Sequence, residues 1–141
     1  MHETVRAIHP QDAVQVAALE QLARTATAGF RGGTVWLAAH PPVADWAAAE
    51  HTWVATIDDA VVGFLQLRID PPVAEVQQVF VHPDARELGL GDELLATAME
   101  HGRQNGCTAI EAFALPGDRE TKNLYERAGV IARLLVMRRG L

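Results

Sequence analysis

The sequence predicts a mixed α/β fold, a mostly antiparallel sheet with helices on both faces. Three observations carry this. Two strand-like apolar runs, Trp53 to Ile57 and Val61 to Ile69, are separated by Asp58-Asp59, the signature of an antiparallel hairpin. A further strand, Glu75 to Val81, feeds a glycine-containing turn, a long amphipathic helix and then another strand, a β-α-β crossover. A helical run also precedes the hairpin, so helices are available for both faces of one sheet.

In chain order, Val5 to Ile8 is a short strand broken at Pro10. Asp12 then fits an N-cap, with Gln15 completing a capping box. Ala13, Val16, Ala17, Leu19, Leu22, Ala23 and Ala26 recur at helical spacing and predict a helix over Ala13 to Ala28. From Phe30 to His51 the periodicity is poor, and a loop with a short helix near Val43 to Ala49 is expected. The hairpin follows and stops at Pro71-Pro72. Glu75 to Val81 ends at His82-Pro83. Leu90, Leu94, Leu95, Ala98, Met99 and Gly102 form the inner stripe of a helix over Leu90 to Asn105, with Gly106 as its stop. Ala109 to Leu115 is a strand, Asp118 caps a helix over Arg119 to Ala128, and Val130 to Met137 is a final strand.

The 141 residues suit one domain, 1–141. A net charge of −6 argues against nucleic-acid binding, which needs a basic footprint. No stretch approaches the roughly 18 apolar residues of a membrane span, and Met1 to Thr4 lacks the pattern of a signal peptide. The single cysteine, Cys107, excludes an internal disulfide, and a cytoplasmic protein is expected. The six histidines show no paired ligand spacing, so no metal is expected.

The most informative segment runs from Val79 to Asp92. A buried strand enters a turn carrying Gly89 and Gly91, and the turn opens a helix. Free N–H groups and the positive dipole end of a helix start suit a phosphate. A dinucleotide fingerprint would need glycine where Leu94 stands, and a triphosphate loop would need Gly-Lys-Ser/Thr. On these grounds alone the turn is either a phosphate cradle or a plain helix start.

The spacing R-x-x-G-x-G, Arg86 to Gly91, after a strand ending Val-x-His-Pro, resembles the acetyl-CoA-binding motif of the GNAT superfamily of N-acetyltransferases. Leu124-Tyr125-Glu126-Arg127-Ala128-Gly129 resembles the family's L-Y-E-x-x-G segment, and the element order resembles its fold over nearly the whole chain. The resemblance implies a central, splayed parallel strand pair. It implies that the backbone of Glu87, Leu88, Gly89, Leu90, Gly91 and Asp92 holds the pyrophosphate of acetyl-CoA after Arg86. It also implies that Val79, Phe80 and Val81 pair with the pantetheine arm. Glu87 and Leu88 stand where relatives often carry glycine and a basic residue. Asp118 stands where many have an Asn touching pantetheine, and is alternatively an N-cap. Tyr125 matches the tyrosine near the CoA sulfur, with a core aromatic as the other reading.

The acceptor amine must lose a proton before it attacks. Glu75 resembles a position where some relatives place the base; it is otherwise a solvated strand-end carboxylate. By simple alternation Glu75, Gln77, Val79 and Val81 share one face. His82 reads as a loop side chain. The expected function is direct transfer of an acetyl group from acetyl-CoA to a primary amine in a ternary complex; the alternative is a non-catalytic CoA-binding sensor or scaffold. In relatives the segment after the first helix helps build the acceptor site, which makes Trp36 and Trp46 candidate walls. After Gly129 only one further strand fits, where relatives usually have two. The acceptor site is then either open or completed by another chain, and a homodimer through Ile131, Leu134, Leu135, Val136 and Met137 is expected.

Overall fold

The computed structural model describes residues 1–141. Five strands form one sheet in the order β1-β2-β3-β4-β5: β1 is Glu3–Ala7, β2 Thr52–Ile57, β3 Ala60–Asp70, β4 Val73–Val81 and β5 Ala109–Glu111. The first three pairings are antiparallel and β4–β5 is parallel, as a crossover through an intervening helix requires. Asp58 and Asp59 both adopt left-handed φ, 47° and 70°, so the β2–β3 hairpin closes through a two-residue turn whose twist matches its strands.

Helices α1 (Ala13–Ala28) and α2 (Gly33–Ala39) lie on one face of the sheet; α3 (Leu90–Gln104) and α4 (Arg119–Arg127) lie on the other. Period-two alternation divides the core accordingly. Trp53, Ala55, Leu65 and Leu67 pack with Leu90, Leu94, Leu95 and Ala98 of α3 and Leu124 and Tyr125 of α4. Val54, Val61 and Phe64 pack with Val16 and Leu19 of α1 and with Trp46. Gly102 lets α3 approach β4 closely: a Cβ there would lie 3.2 Å from the Ala74 Cβ.

Several expectations are corrected. Asp12 stands at the N-cap of α1, as expected, but its side chain makes no bond into that helix; the buried carboxylate takes both terminal guanidinium nitrogens of Arg6, at 2.7 and 3.0 Å, and the His9 N–H at 2.8 Å. Gln15 instead accepts from the Val61 N–H. A bidentate cation outcompetes a local cap because charge-assisted bonds are stronger. Leu22 lies on the exposed side of α1, and Glu20 takes a buried place beside Val16 and Leu19. The poorly patterned stretch contains α2, while the expected helix near Val43 to Ala49 is a single 3-10 turn, Trp46–Ala48. The strand from Ala109 stops at Glu111 rather than Leu115.

Val130 to Met137 forms no strand, and Leu134 to Met137 are between 80% and 87% exposed. Apolar β-formers make a strand only where an edge pairs with them, and in the single chain none does.

Candidate active site

The sheet parts between β4 and β5. The strands are paired only from Val73↔Ala109 to Glu75↔Glu111; beyond that point β4 runs on to Val81 without a neighbour on this side. The register with β3 shifts between Gln66 and Leu67, leaving Gln77 as an extra residue on β4. Such a bulge reverses the alternation of everything after it. Ala74 and Val76 face α3, and so do Val79 and Val81; Glu75 faces α1 and α2. The shared face expected for Glu75, Val79 and Val81 is therefore overturned. Glu75 sits at the fork, held by Arg68 at 3.1 Å and by the Gln77 amide at 2.6 Å.

The His82 N–H donates to Val62 on β3, so two-residue alternation turns the backbone groups of Val79 and Val81 toward the gap. The Val81 carbonyl is met there by Arg86 Nε at 3.1 Å, and the Arg86 guanidinium also lies 5.6 Å from the Phe80 ring centre. Arg86 thus ties the turn to the strand end.

Ala85 N–H donates back to His82 and Glu93 N–H donates to Gly89. Between them, the N–H groups of Glu87 to Asp92 are used by no carbonyl of the chain. They surround the start of α3, which carries the positive end of the helix dipole. Gly89 has φ +77° and Glu87 has φ +67°, so the turn needs two left-handed residues and has glycine at only one. Gly91 has another role. It lies where α3, α4 and β4 meet, and a Cβ on it would stand 3.5 Å from Leu124 and 3.8 Å from Val81, ordinary contact distances that leave room for a methyl group. The Asp92 carboxylate is held by Arg127 Nε of α4 at 3.0 Å, which offsets its charge beside the turn.

Tyr125 is 7% exposed and packs in the α3-side core. Burial, and secondarily the charge of Asp118, holds its hydroxyl well above the ordinary phenol range, so it stays protonated. Asp118 accepts from the Thr121 N–H at 3.2 Å and is the N-cap of α4. His82 accepts from the Asp84 N–H and belongs to the loop.

The structure gathers Val79, Val81, Arg86 to Asp92, Asp118 and Tyr125 around the open half of the fork; Phe80, expected with them, packs on the α1 side with its backbone turned to β3, and Glu75 lies on that other face too. Trp46 is buried against Phe64 and forms no pocket wall, whereas Trp36 stands half-buried beside Phe113. Sequence reading missed three features: Glu111, the register partner of Glu75; the Arg127–Asp92 pair; and Glu20. The buried Glu20 carboxylate accepts from Val43 N–H, Trp46 Nε1 and Gln78 Nε2, linking α1 to β4. Only Glu111 had a signal, as the one charge in the run Ala109 to Leu115.

Among curated proteins, the chain is 32% identical over 85 residues to the mycothiol acetyltransferase of Thermomonospora curvata, covering 60% of this chain and 29% of that protein. It is 34% identical over 80 residues to the probable N-acetyltransferase camello of Xenopus tropicalis, covering 55% and 36% respectively. The matches thus span about a third of the length of these relatives. Among solved structures, the aminoglycoside N-acetyltransferase AAC(6')-Iy, in complex with a bisubstrate analogue of CoA and an acetylneamine, superposes with TM-score 0.70 at 19% identity over all of both chains. The ribosomal-protein-alanine N-acetyltransferase of Brucella melitensis superposes with TM-score 0.69 at 21% identity over 99% of this chain and 100% of that one. These likenesses are of fold. The model of the acetyltransferase (GNAT) family matches residues 16–130. With most of its length matched and the forked sheet in place, this chain belongs to the acetyltransferase (GNAT) family.

Proposed function

We propose that the protein is an N-acyltransferase that moves an acetyl group from acetyl-CoA directly to a primary amine. One observation carries this: unclaimed N–H groups of Glu87 to Asp92 at the start of α3, beside the open edge of β4. The residues present fit CoA. The turn offers donors to a pyrophosphate. The Val79 backbone groups and the Val81 N–H offer a strand edge to the amides of pantetheine, a form of strand addition, while the Val81 carbonyl is held by Arg86. Arg127 holds the Asp92 carboxylate beside the phosphate position, and Asp118 is available only as far as its N-cap bond leaves it.

When bound, acetyl-CoA supplies an activated thioester. The Val81 N–H is placed to polarise a carbonyl lying along β4. Glu75, alone or through water, accepts the proton of the attacking amine from the α1–α2 face. Tyr125 donates a hydrogen bond to the sulfur as the C–S bond breaks. A thiol is ordinarily more acidic than a phenol, and burial widens the difference. Tyr125 therefore stabilises the departing thiolate without giving up its proton. The unpaired, buried Cys107 fits a reducing, cytoplasmic setting. A homodimer, in which residues 130–137 of each copy pack on the other, would cover the exposed apolar tail; sedimentation at micromolar concentration reads it directly.

The test is twofold. CoA at ~100 times its dissociation constant should add about 2.7 kcal/mol of stability, seen as a raised melting temperature. Thiol release from acetyl-CoA should then depend on an added amine. No thermal shift at millimolar CoA refutes the reading, and a shift without thiol release over a broad amine panel leaves the sensor.

A further inference from the structure

The side chains on the α1–α2 face of the fork define what kind of amine fits there. Glu75 and Glu111 are register partners on parallel strands, so both project to this face. Ile110 and Ala112 pack with the core on the α3 side, which turns Glu111 and Phe113 the opposite way. Glu75 is ion-paired with Arg68; Glu111 is exposed and carries the free charge. The Phe113 ring is 53% exposed and meets Trp36 of α2 with centroids 5.4 Å apart. Trp36 is stacked in turn on His40 at 3.7 Å, which fixes its orientation. The fork therefore has two carboxylates on this face, of which Glu111 alone lacks an ion-pair partner, followed by an aromatic wall of Phe113 and Trp36. Gly29, Phe30 and Arg31 of the α1–α2 turn line a separate open pocket with Pro116 and Gly117 of the loop after β5.

Resting on the acyltransferase reading above, we infer that this face is an acceptor subsite for an amine with a single positive charge and an apolar body, alkyl or aryl. An ammonium group is drawn to Glu111 at the fork, next to the proton acceptor Glu75. The adjoining hydrocarbon loses water against Phe113 and the edge of Trp36. A second ammonium further along the body gains no ion pair against Phe113 and Trp36 and loses water there, so polycationic acceptors are disfavoured. Glu111, Phe113 and Trp36 are specificity residues in this arrangement, and neither aromatic takes part in proton transfer.

Three probes separate the possibilities: 2-phenylethylamine, ethylamine and putrescine. Each is assayed by thiol release with acetyl-CoA and by calorimetry on the CoA-loaded protein. The expected result is a KM, or a dissociation constant, for 2-phenylethylamine roughly tenfold or more below those of the other two. Phe113→Ala should remove that preference without changing the KM for acetyl-CoA, and Phe113→Leu should restore part of it. Glu111→Gln should weaken all three amines alike. Equal values for the three probes, an order led by putrescine, or a preference untouched in Phe113→Ala overturns the inference. Absence of amine binding by calorimetry to a protein that does bind CoA also overturns it. Failure of the acyltransferase reading shows separately, as absence of CoA protection against unfolding, or as amine binding by calorimetry with no thiol release from acetyl-CoA.

Discussion

Glu87 is the most informative single position in the turn. Its φ of +67° places a side-chain-bearing residue in the left-handed region, and its carboxylate is exposed beside the N–H groups that would hold phosphate. Left-handed backbone costs an L-residue about 1–2 kcal/mol. Glycine removes that cost but returns up to about 1 kcal/mol as unfolded-chain entropy. Glu87→Gly should therefore stabilise the protein by about 0.5–1 kcal/mol, a rise in melting temperature of about 2–5 °C for a chain of this size. The charge acts independently. Two unit charges 4 Å apart in water interact by about 1 kcal/mol, so removing the carboxylate should tighten CoA binding by about fivefold at low salt. The gain should shrink as salt screens it. Glu87→Gln separates the effects, since it removes the charge and keeps the strained backbone. Thermal unfolding and CoA calorimetry at two salt concentrations read both. A Gly variant no more stable than the Gln variant refutes the strain argument. A Gln variant with unchanged CoA affinity and salt dependence refutes the placement of phosphate at this turn.

The two motif glycines should behave differently. Gly89→Ala forces a Cβ onto φ +77° and should cost about 1 kcal/mol together with CoA affinity. Gly91→Ala has room against Leu124 and should change stability little, whereas Gly91→Val should disturb the packing of α4; equal losses in Gly89→Ala and Gly91→Ala would contradict the geometry. Arg6 holds the Asp12 carboxyl below the usual carboxylate range. The unfolded chain thus binds the proton first as pH falls, so this stabilisation is full above about pH 4 and is lost in more acid solution. Asp12→Ala should cost about 1–2 kcal/mol at neutral pH, since the Arg6 left behind is partly exposed to water, and flatten the acid limb of a stability–pH curve; an unchanged limb would show that the pair is not linked to folding. Tyr125 is the only tyrosine, so phenolate absorbance reports it alone. Ionisation should begin near pH 10 in denaturant and only above that in the native protein, with stability falling as pH rises past 10. Tyr125→Phe should lower turnover while leaving CoA binding nearly intact; coincident native and denatured titrations would reverse the assignment.

The hairpin, the crossover, the long helices and the turn at the start of α3 are legible in the amino-acid order alone. Each is encoded by residues close together in the chain. Two aspartates suit a left-handed two-residue turn, the stripe from Leu90 to Gly102 repeats at helical period, and R-x-x-G-x-G sets the turn within six residues. Features that depend on distant partners emerge only in the folded chain. The bulge at Gln77 exists in the register with β3, and it moved Glu75 off the face of Val79 and Val81. Asp12 holds the N-cap position of α1 but gives its carboxylate to Arg6, which sits on another element. Glu111 gained meaning only when the parallel pairing set it beside Glu75. Val130 to Met137 has the composition of a strand and is none, because half of every strand's hydrogen bonds belong to a neighbour.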